Sequence, residues 1–487
     1  TLEYDLATLA GTNNQLITLK GTNSTTVVLD DDNPGNTSVL ETVTVNSIAV
    51  PNTLAALTTT TVNTTKLAVT GDKLLTITAA LDADIATIDS SESTGGLTLS
   101  NTPAATVLTI VGGAGKETIT ATGAANINLS GGAGNDTLNA GDNWNGYDVF
   151  DGGDGVDTLH VTADFEPLNE GPLSASTISA GLSNVEVLKV TSQENISFDK
   201  NMGDLNIIDI SDATKQTLNF NDGYTGKTTV YIGTTLTSNQ DAIEAVVNTA
   251  GVELDIYAKL GDIDGDSAAK TTITGGAGTD TLYLYNIGSG GANAANNTAL
   301  LGDGNNNNIT GIDKIVLISS GGAVAPVLDT GDYALANAAG VPLPLTIDAS
   351  GLIATEAANI GSADTLTPMV ITGGSGSDTL TGGTLADNIS GGAGNDTIAG
   401  TSGAGNVLDG GAGNDQITMG DATDNISGGA GNDNIIIGAN LDLTDTIDGG
   451  TGTDTLTIGA NITSTSVIGG VSNMEVIKPA AGNPNSP

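Results

Sequence analysis

The sequence predicts an all-β chain whose backbone winds as a repetitive solenoid, and three observations point there. Glycine-rich phrases about nine residues long recur in two blocks, and short β-branched runs separated by Gly, Asn and Asp fill the rest. The composition is also poor in large core residues, with 3% aromatic and 68 Gly among 487 residues. A narrow core of small aliphatic side chains suits stacked coils better than a core filled by Phe and Trp.

The later block breaks into units that begin at residues 373, 382, 391, 400, 410, 419, 428, 437 and 449. The earlier one has units at 112, 121, 131, 140 and 152. Both blocks end alike, with GGAGNDTLN at 131 and GGAGNDNII at 428 each followed by a longer unit and then by GGDGVDTLH or GGTGTDTLT. Matching insertions at the same place imply duplication.

Each position of the form Gly-Gly-x-Gly-x-Asp-x-U-x, with U apolar, has a physical logic. Glycine permits positive φ and close backbone approach, so the first six residues form a tight turn with outward carbonyls. The aspartate adds a hard carboxylate oxygen of the kind Ca²⁺ prefers in a set of six to eight oxygens. The last three residues make a minimal strand whose middle side chain points inward. Leu380, Ile389, Ile398, Ile417, Ile426, Ile435 and Leu456 hold that place.

Two units complete one coil, so units 18 residues apart stack on one face, as Asp378 and Asp396 or Asp415 and Asp433 do. One face then carries the intact turns at 373, 391, 410, 428 and 449, while the other carries degraded ones. The candidate metal ligands of the better face are Asp378, Asp396, Asp415, Asp433 and Asp454, with Glu117, Asp136 and Asp157 in the early block. Asp387 and Asp424 stand on the poorer face, Asp280 belongs to a lone turn at 275, and Asp154 lies within its own turn. Asp151, Asp409 and Asp448, each just before a glycine turn, form a second tier. The glycines expected to shape the sites are Gly132, Gly134, Gly374, Gly376, Gly392, Gly394, Gly411, Gly413, Gly429 and Gly431.

Charge agrees with cation binding. The 56 acidic against 12 basic side chains give a formal net charge of -44, leaving no basic groove for nucleic acid and no polybasic patch for anionic lipid. A hydrophobic content of 38% with mean hydropathy of +0.06 speaks against wholesale disorder. With no Cys, bound metal is the natural staple for so long a chain. No apolar stretch reaches the 18 residues of a membrane span. Thr1 to Asp5 show neither an initiator Met nor a leader, so the N-terminus reads as processed or excised.

A longer period lies above the nonapeptides. A strand-like phrase with an acidic second residue occurs at Leu40-Glu41, Val185-Glu186, Ile312-Asp313 and Met474-Glu475. An Ile-Asp-x-Ser phrase at Asp89, Asp209 and Asp348 lies between successive copies, followed by a glycine turn. Three modules are expected: 1–165 with a repeat block at 112–160, 166–295 with the single turn at 275–283, and 296–487 with the long roll at 373–458. Outside the glycine turns the strand spacing fits solenoid rungs and a sandwich equally. One helix is expected over Asp241 to Thr249, after a Ser238-Asn239 start signal.

Other chemistry has thin support. Asp262 to Asp266 resembles the opening of an EF-hand loop, but Ile273 stands where the closing Glu belongs. His160, the only His, rules out zinc motifs that need two and reads as a rung side chain. No Gly-x-Ser-x-Gly elbow is present. Trp144 sits in a loop insertion.

The glycine turns resemble the RTX nonapeptide over 112 to 160 and 373 to 458. The Thr/Ala/Gly-rich strands with their Val-Glu-Val and Ile-Asp-x-Ser phrases look like RTX-type bacterial surface-layer proteins. The resemblance implies a right-handed parallel β-roll with several Ca²⁺ between turns, type I export, and self-assembly into a lattice on a cell surface. It also implies anchoring to surface polysaccharide through a region outside this chain. Pro479 to Pro487 lack an apolar secretion signal, so the chain is expected to be one section of a longer protein. The competing readings are an RTX adhesin or spacer section and a catalytic domain on a β-helix. A non-enzymatic, secreted role is the expectation, with no nucleic acid and no membrane insertion.

Overall fold

Alternation along each strand builds the core. In Thr42–Ile48, Val43 and Val45 are fully buried while Thr42, Thr44 and Asn46 on the other face stay half-buried. That period of two recurs in nearly every strand, as a sheet with one packed face requires. The computed structural model describes residues 2–5, 13–21, 25–30, 40–59, 64–79, 81–121, 126–141, 147–161, 181–191, 195–198, 205–210, 217–220, 227–232, 245–248, 252–259, 272–276, 278–285, 298–300, 308–319, 326–331, 342–361, 367–401, 405–420, 422–437, 444–459 and 470–479. Among them every element is a β-strand and every pairing of strands is parallel. The protein is therefore an all-β parallel solenoid, and the sandwich falls away. Two units are distinguished, Thr1–Thr228 and Thr229–Pro487.

In the first unit one sheet stacks Asn14–Lys20, Thr42–Ile48, Lys66–Gly71, Thr87–Ser93, Leu108–Val111, Ile127–Ala133, Val149–Asp154 and Leu182–Ser183 in chain order. A second row alternates with it, running from Asn52–Thr58 through Leu75–Ile77, Leu97–Leu99, Glu117–Thr120, Thr137–Gly141 and Thr158–Val161 to Val187–Val190 and Ile207–Asp209. One strand from each row makes a coil, and Leu54, Ile77, Leu99, Ile119, Leu138, Leu159, Leu188 and Ile208 form one continuous inner column. Phe150, fully buried, is the largest of the enclosed side chains.

The second unit repeats the plan. Met369–Thr372, Asn388–Ser390, Val407–Ala412, Asn425–Ala430 and Thr446–Asp448 form one row. Asn359–Gly361, Thr379–Thr381, Thr397–Ala399, Gln416–Thr418, Asn434–Ile437 and Thr455–Ile458 form the other. All seven side chains expected to point inward, from Leu380 to Leu456, are at most 1% exposed. Where glycine turns are sparse another device appears. Tyr231, Tyr257 and Tyr283 stack with centroids 5.0 and 4.3 Å apart, a ladder in which each ring pair contributes about 0.5–1.5 kcal/mol beyond buried area.

The helix expected over 241–249 is corrected: Ala245–Asn248 is a strand, and residues 241–244 and 249 lie outside the described residues. Val246 is fully buried and pairs with Ile273, so a neighbour one coil away outweighs weak local helix spacing. The EF-hand-like stretch at 262–266 and Trp144 also lie outside the described residues. His160 is the rung residue expected, with Nδ1 3.1 Å from Asn139 Oδ1 and Nε2 3.3 Å from Thr191 Oγ1.

Because each short strand of the long roll contributes a single inward side chain, a truncated rung has little to collapse into. Ile417→Ala is expected to cost about 2–5 kcal/mol, whereas exposed Gln416→Ala should stay within about 0.5 kcal/mol. Thermal or denaturant unfolding of the two variants in saturating Ca²⁺ checks this.

Candidate metal centre

The parallel register carries each sixth-position acid to a fixed place under its equivalent one coil earlier. There the inner carboxylate oxygen accepts the backbone N–H of the earlier acid. Asp378 N–H donates to Asp396 Oδ1 at 2.7 Å, Asp396 to Asp415 at 2.7 Å, Asp415 to Asp433 at 2.8 Å and Asp433 to Asp454 at 2.8 Å. In the first unit Glu117 donates to Asp136 at 2.7 Å and Asp136 to Asp157 at 2.6 Å. The poorer face of the long roll has its own ladder, in which Asp387 donates to Asn406, Asn406 to Asp424 and Asp424 to Asp445 at 2.7–3.0 Å.

The outer oxygens behave differently. Those of Asp136, Asp157, Asp396, Asp415, Asp433 and Asp454, with Oε2 of Glu117, are buried and have no hydrogen-bond partner. Those of Asp136, Asp157, Asp396, Asp415 and Asp433, with Oε2 of Glu117, face the first glycine of their own turns. A methyl group built on Gly391 would strike both Asp396 Oδ2 and the carbonyl of Gly410, and one on Gly410 or Gly428 would strike the equivalent pair one coil on. A carboxylate oxygen from one turn and a main-chain carbonyl from the next thus border the same small space. Among the described residues no three His, Cys, Asp or Glu side chains converge, so an ion would draw its remaining oxygens from the backbone. Unpartnered buried carboxylate oxygens beside carbonyls fit a hard cation such as Ca²⁺, whose chemistry here is neutralisation of charge.

Electrostatics agree. Burial pushes Asp396 up to about 7, with Asp378 and Asp415 adding repulsion. Burial likewise raises Asp433 to about 6, helped by Asp415 and Asp454, and Asp136 to about 6, helped by Asp157. Glu117 reaches about 8 through burial and the charge of Asp136. Asp157, Asp378, Asp387, Asp415 and Asp424 are all raised by burial.

The remaining expected ligands are placed elsewhere. Asp154 is exposed within its turn. Asp151 and Asp448 lie on the outer face before their turns, each bonded at 2.6 Å by the amide of a following asparagine, Asn184 or Asn473. Asp409 holds the same outward position, and its carbonyl accepts Gly391 N–H. Asp280 accepts from Gly276 and Leu254 N–H in the lone turn. Of the named glycines, Gly132, Gly134, Gly392, Gly394, Gly411, Gly413, Gly429 and Gly431 have positive φ between 95 and 141°, whereas Gly374 and Gly376 do not.

The RTX calcium-binding nonapeptide repeat, four copies to the family model, matches this chain over residues 111–143, 272–285, 372–407, 402–435 and 443–460. The matches fall on the glycine turns, and Asp157 shares the geometry although it lies beyond them. No curated protein matches the chain.

Three features escaped the sequence reading. The acids of the strand-like phrases are rungs of the same ladders: Glu186 accepts Asp157 N–H at 2.7 Å, Glu475 accepts Asp454 N–H at 2.8 Å, and Asp313 accepts Asp280 N–H at 2.9 Å. Fifth-position asparagines make a second, exposed ladder, with Asn414 N–H donating to Asn395 Oδ1 and Asn432 N–H to Asn414 Oδ1, both at 2.7 Å. The Ile-Asp-x-Ser phrases at Asp89 and Asp348 are side-chain turns, each aspartate bonded by a serine hydroxyl at 2.6 Å and paired with a lysine one coil earlier. Recurrence of Asn at the fifth position was the available signal for the second.

Two outcomes are expected. A carboxyl raised in the folded roll holds its proton more tightly there than in the unfolded chain. Its support for the ion-free fold is therefore full below the ordinary carboxylate range near about 4 and lost as pH rises through about 6 to 8. In chelator the melting temperature should fall from about pH 4 to about pH 8, and in excess Ca²⁺ the order should reverse because binding displaces protons. Circular dichroism melts at both pH values check the two signs. Gly411→Ala places a Cβ at φ 95° against the Gly392 carbonyl and should lower the Ca²⁺-loaded melting temperature by several degrees, while exposed Ala393→Ser should not.

Proposed function

We propose that the protein is a secreted structural protein of a bacterial surface layer, whose nonapeptide coils fold on meeting extracellular calcium and which then assembles with further copies into a lattice. The observation that carries the calcium part is the row of buried, unpartnered carboxylate oxygens in stacked turns. Without cations these charges repel across adjacent coils and the glycine turns regain chain entropy, so the coils stay open until calcium is abundant. Support for the lattice comes from the Thr/Ala/Gly-rich strands and the phrases between the turns. His160, the only His, is engaged with Asn139 and Thr191 as a rung side chain.

The adhesin or spacer reading draws on the same parallel coils, which suit a stiff connector. Two measurements separate these readings. Far-ultraviolet circular dichroism in EGTA should show loss of strand signal that returns with Ca²⁺; an unchanged spectrum and melting curve would sink calcium-dependent folding. Electron microscopy of the Ca²⁺-loaded protein should show ordered sheets, and separate particles at all concentrations would favour the spacer.

A further inference from the structure

The outer carboxylate oxygens fall into two sets. In the turns of Asp280, Asp378, Asp387 and Asp424 the second glycine closes the turn on itself: Gly276, Gly374 and Gly383 N–H donate to Oδ2 at 2.7 Å and Gly420 N–H at 3.0 Å. None of these four glycines has positive φ. In the turns of Asp136, Asp157, Asp396, Asp415, Asp433 and Asp454 the second glycine has rotated to φ between 93 and 102°, and Oδ2 has no partner. At Gly132, Gly153, Gly411 and Gly429 the strand runs on through the glycine pair. Glu117 does not join this set, because its second glycine, Gly113, has no positive φ and bonds its carboxylate through the backbone.

We infer that the nonapeptide turns of this chain are of two kinds, closed turns that complete themselves without an ion and open turns that take a divalent cation. This rests on the calcium reading above and assigns its sites. A closed carboxylate has both oxygens engaged by N–H groups, and a cation would have to displace a donor whose positive end faces it. An open carboxylate is left with a bare buried oxygen, which is costly until an ion satisfies it. The closed turns at 373 and 382 open the long roll, and Ala393 N–H of the first open turn donates to Gly374 O at 3.0 Å. They give that first open turn a finished floor to stack on. The slots of the poorer face at Asp387, Asn406 and Asp424 then hold no ion, because they carry two closed carboxylates and an amide.

Among the described residues the open set is Asp136 and Asp157 in the first unit and Asp396, Asp415, Asp433 and Asp454 in the second, so six ions are expected at these turns. Native mass spectrometry of the full chain titrated with Ca²⁺ counts them. Asp415→Asn should lower the count by at least one, and Asp387→Asn should leave it unchanged. An Asn at 378 or 387 would face a glycine N–H with its own amide and could loosen the turn. A second measurement therefore uses the unaltered chain: anomalous scattering from crystals grown with Tb³⁺ should place ions beside Asp396, Asp415 and Asp433 and none beside Asp378, Asp387 or Asp424. A terbium peak at a closed turn, or an Asp387→Asn variant that folds and loses an ion, overturns the division while leaving calcium binding intact. A chain that takes up no calcium overturns both.

Discussion

The glycine-turn coils depend on one hydrogen bond repeated along them, from the backbone N–H of one acid to the carboxylate of the acid stacked on it. The spacing between bonded partners runs 18, 19, 18, 21 and 21 residues from Asp378 to Glu475, yet the bond survives every change. Insertions are absorbed between the rungs, and the carboxylates stay aligned. That alignment keeps Ile398, Ile417, Ile435 and Leu456 in one inner column. It also holds the glycine carbonyls of one turn against the glycine Cα atoms of the next, where no side chain fits.

The same alignment creates the difficulty that cations resolve. Coils about 4.8 Å apart bring like charges together at a cost of roughly 3 kcal/mol per neighbouring pair at an effective dielectric of about 20. A hydrogen bond to a charged group returns only about 1.5–3 kcal/mol. The ladder is close to balanced without ions, and protonation offers one escape, seen in the upward shifts of Asp396 and Asp433. Neutralisation by a hard cation is the other escape, one that does not depend on pH being low.

The glycine turns and their inward residues were legible because each unit states its own geometry at fixed offsets. What could not be read was anything decided one coil away. Val246 joins a strand because Ile273 lies beside it. Tyr231, Tyr257 and Tyr283 form a ladder because the register stacks them, although their equal spacing was a usable sign. The turns at 373 and 391 carry the same Gly, Gly, Gly and Asp positions, yet only the first closes on itself. The coil before it, with Glu356 in place of a glycine turn, offers no glycine carbonyl ladder to rotate against.

How a ladder stops is answered twice, in nearly the same words. Gly181-Leu-Ser-Asn184-Val-Glu186 and Gly470-Val-Ser-Asn473-Met-Glu475 each put an asparagine at φ 51° and a glutamate on the last aspartate N–H. The glutamate supplies the bond that every rung needs without another glycine turn, so the carboxylate column ends satisfied. The strands that follow differ at one residue that matters. Val187–Val190 is covered by Ile207–Asp209, and Leu188 is fully buried. Val476–Pro479 has no described strand on its other side, Ile477 is 53% exposed, and Pro479 stands where Val190 stood. Val187 and Val476 N–H both bond backward, to Asp157 and Asp454. Strand alternation then turns the N–H two residues before Thr191 and at Val190 in opposite directions, Val190 outward. Proline at the matching position removes an outward donor from an edge that would otherwise template further pairing. The same cap is thus followed by a strand paired on both sides in one unit and by a strand with one onward-pointing donor fewer in the other.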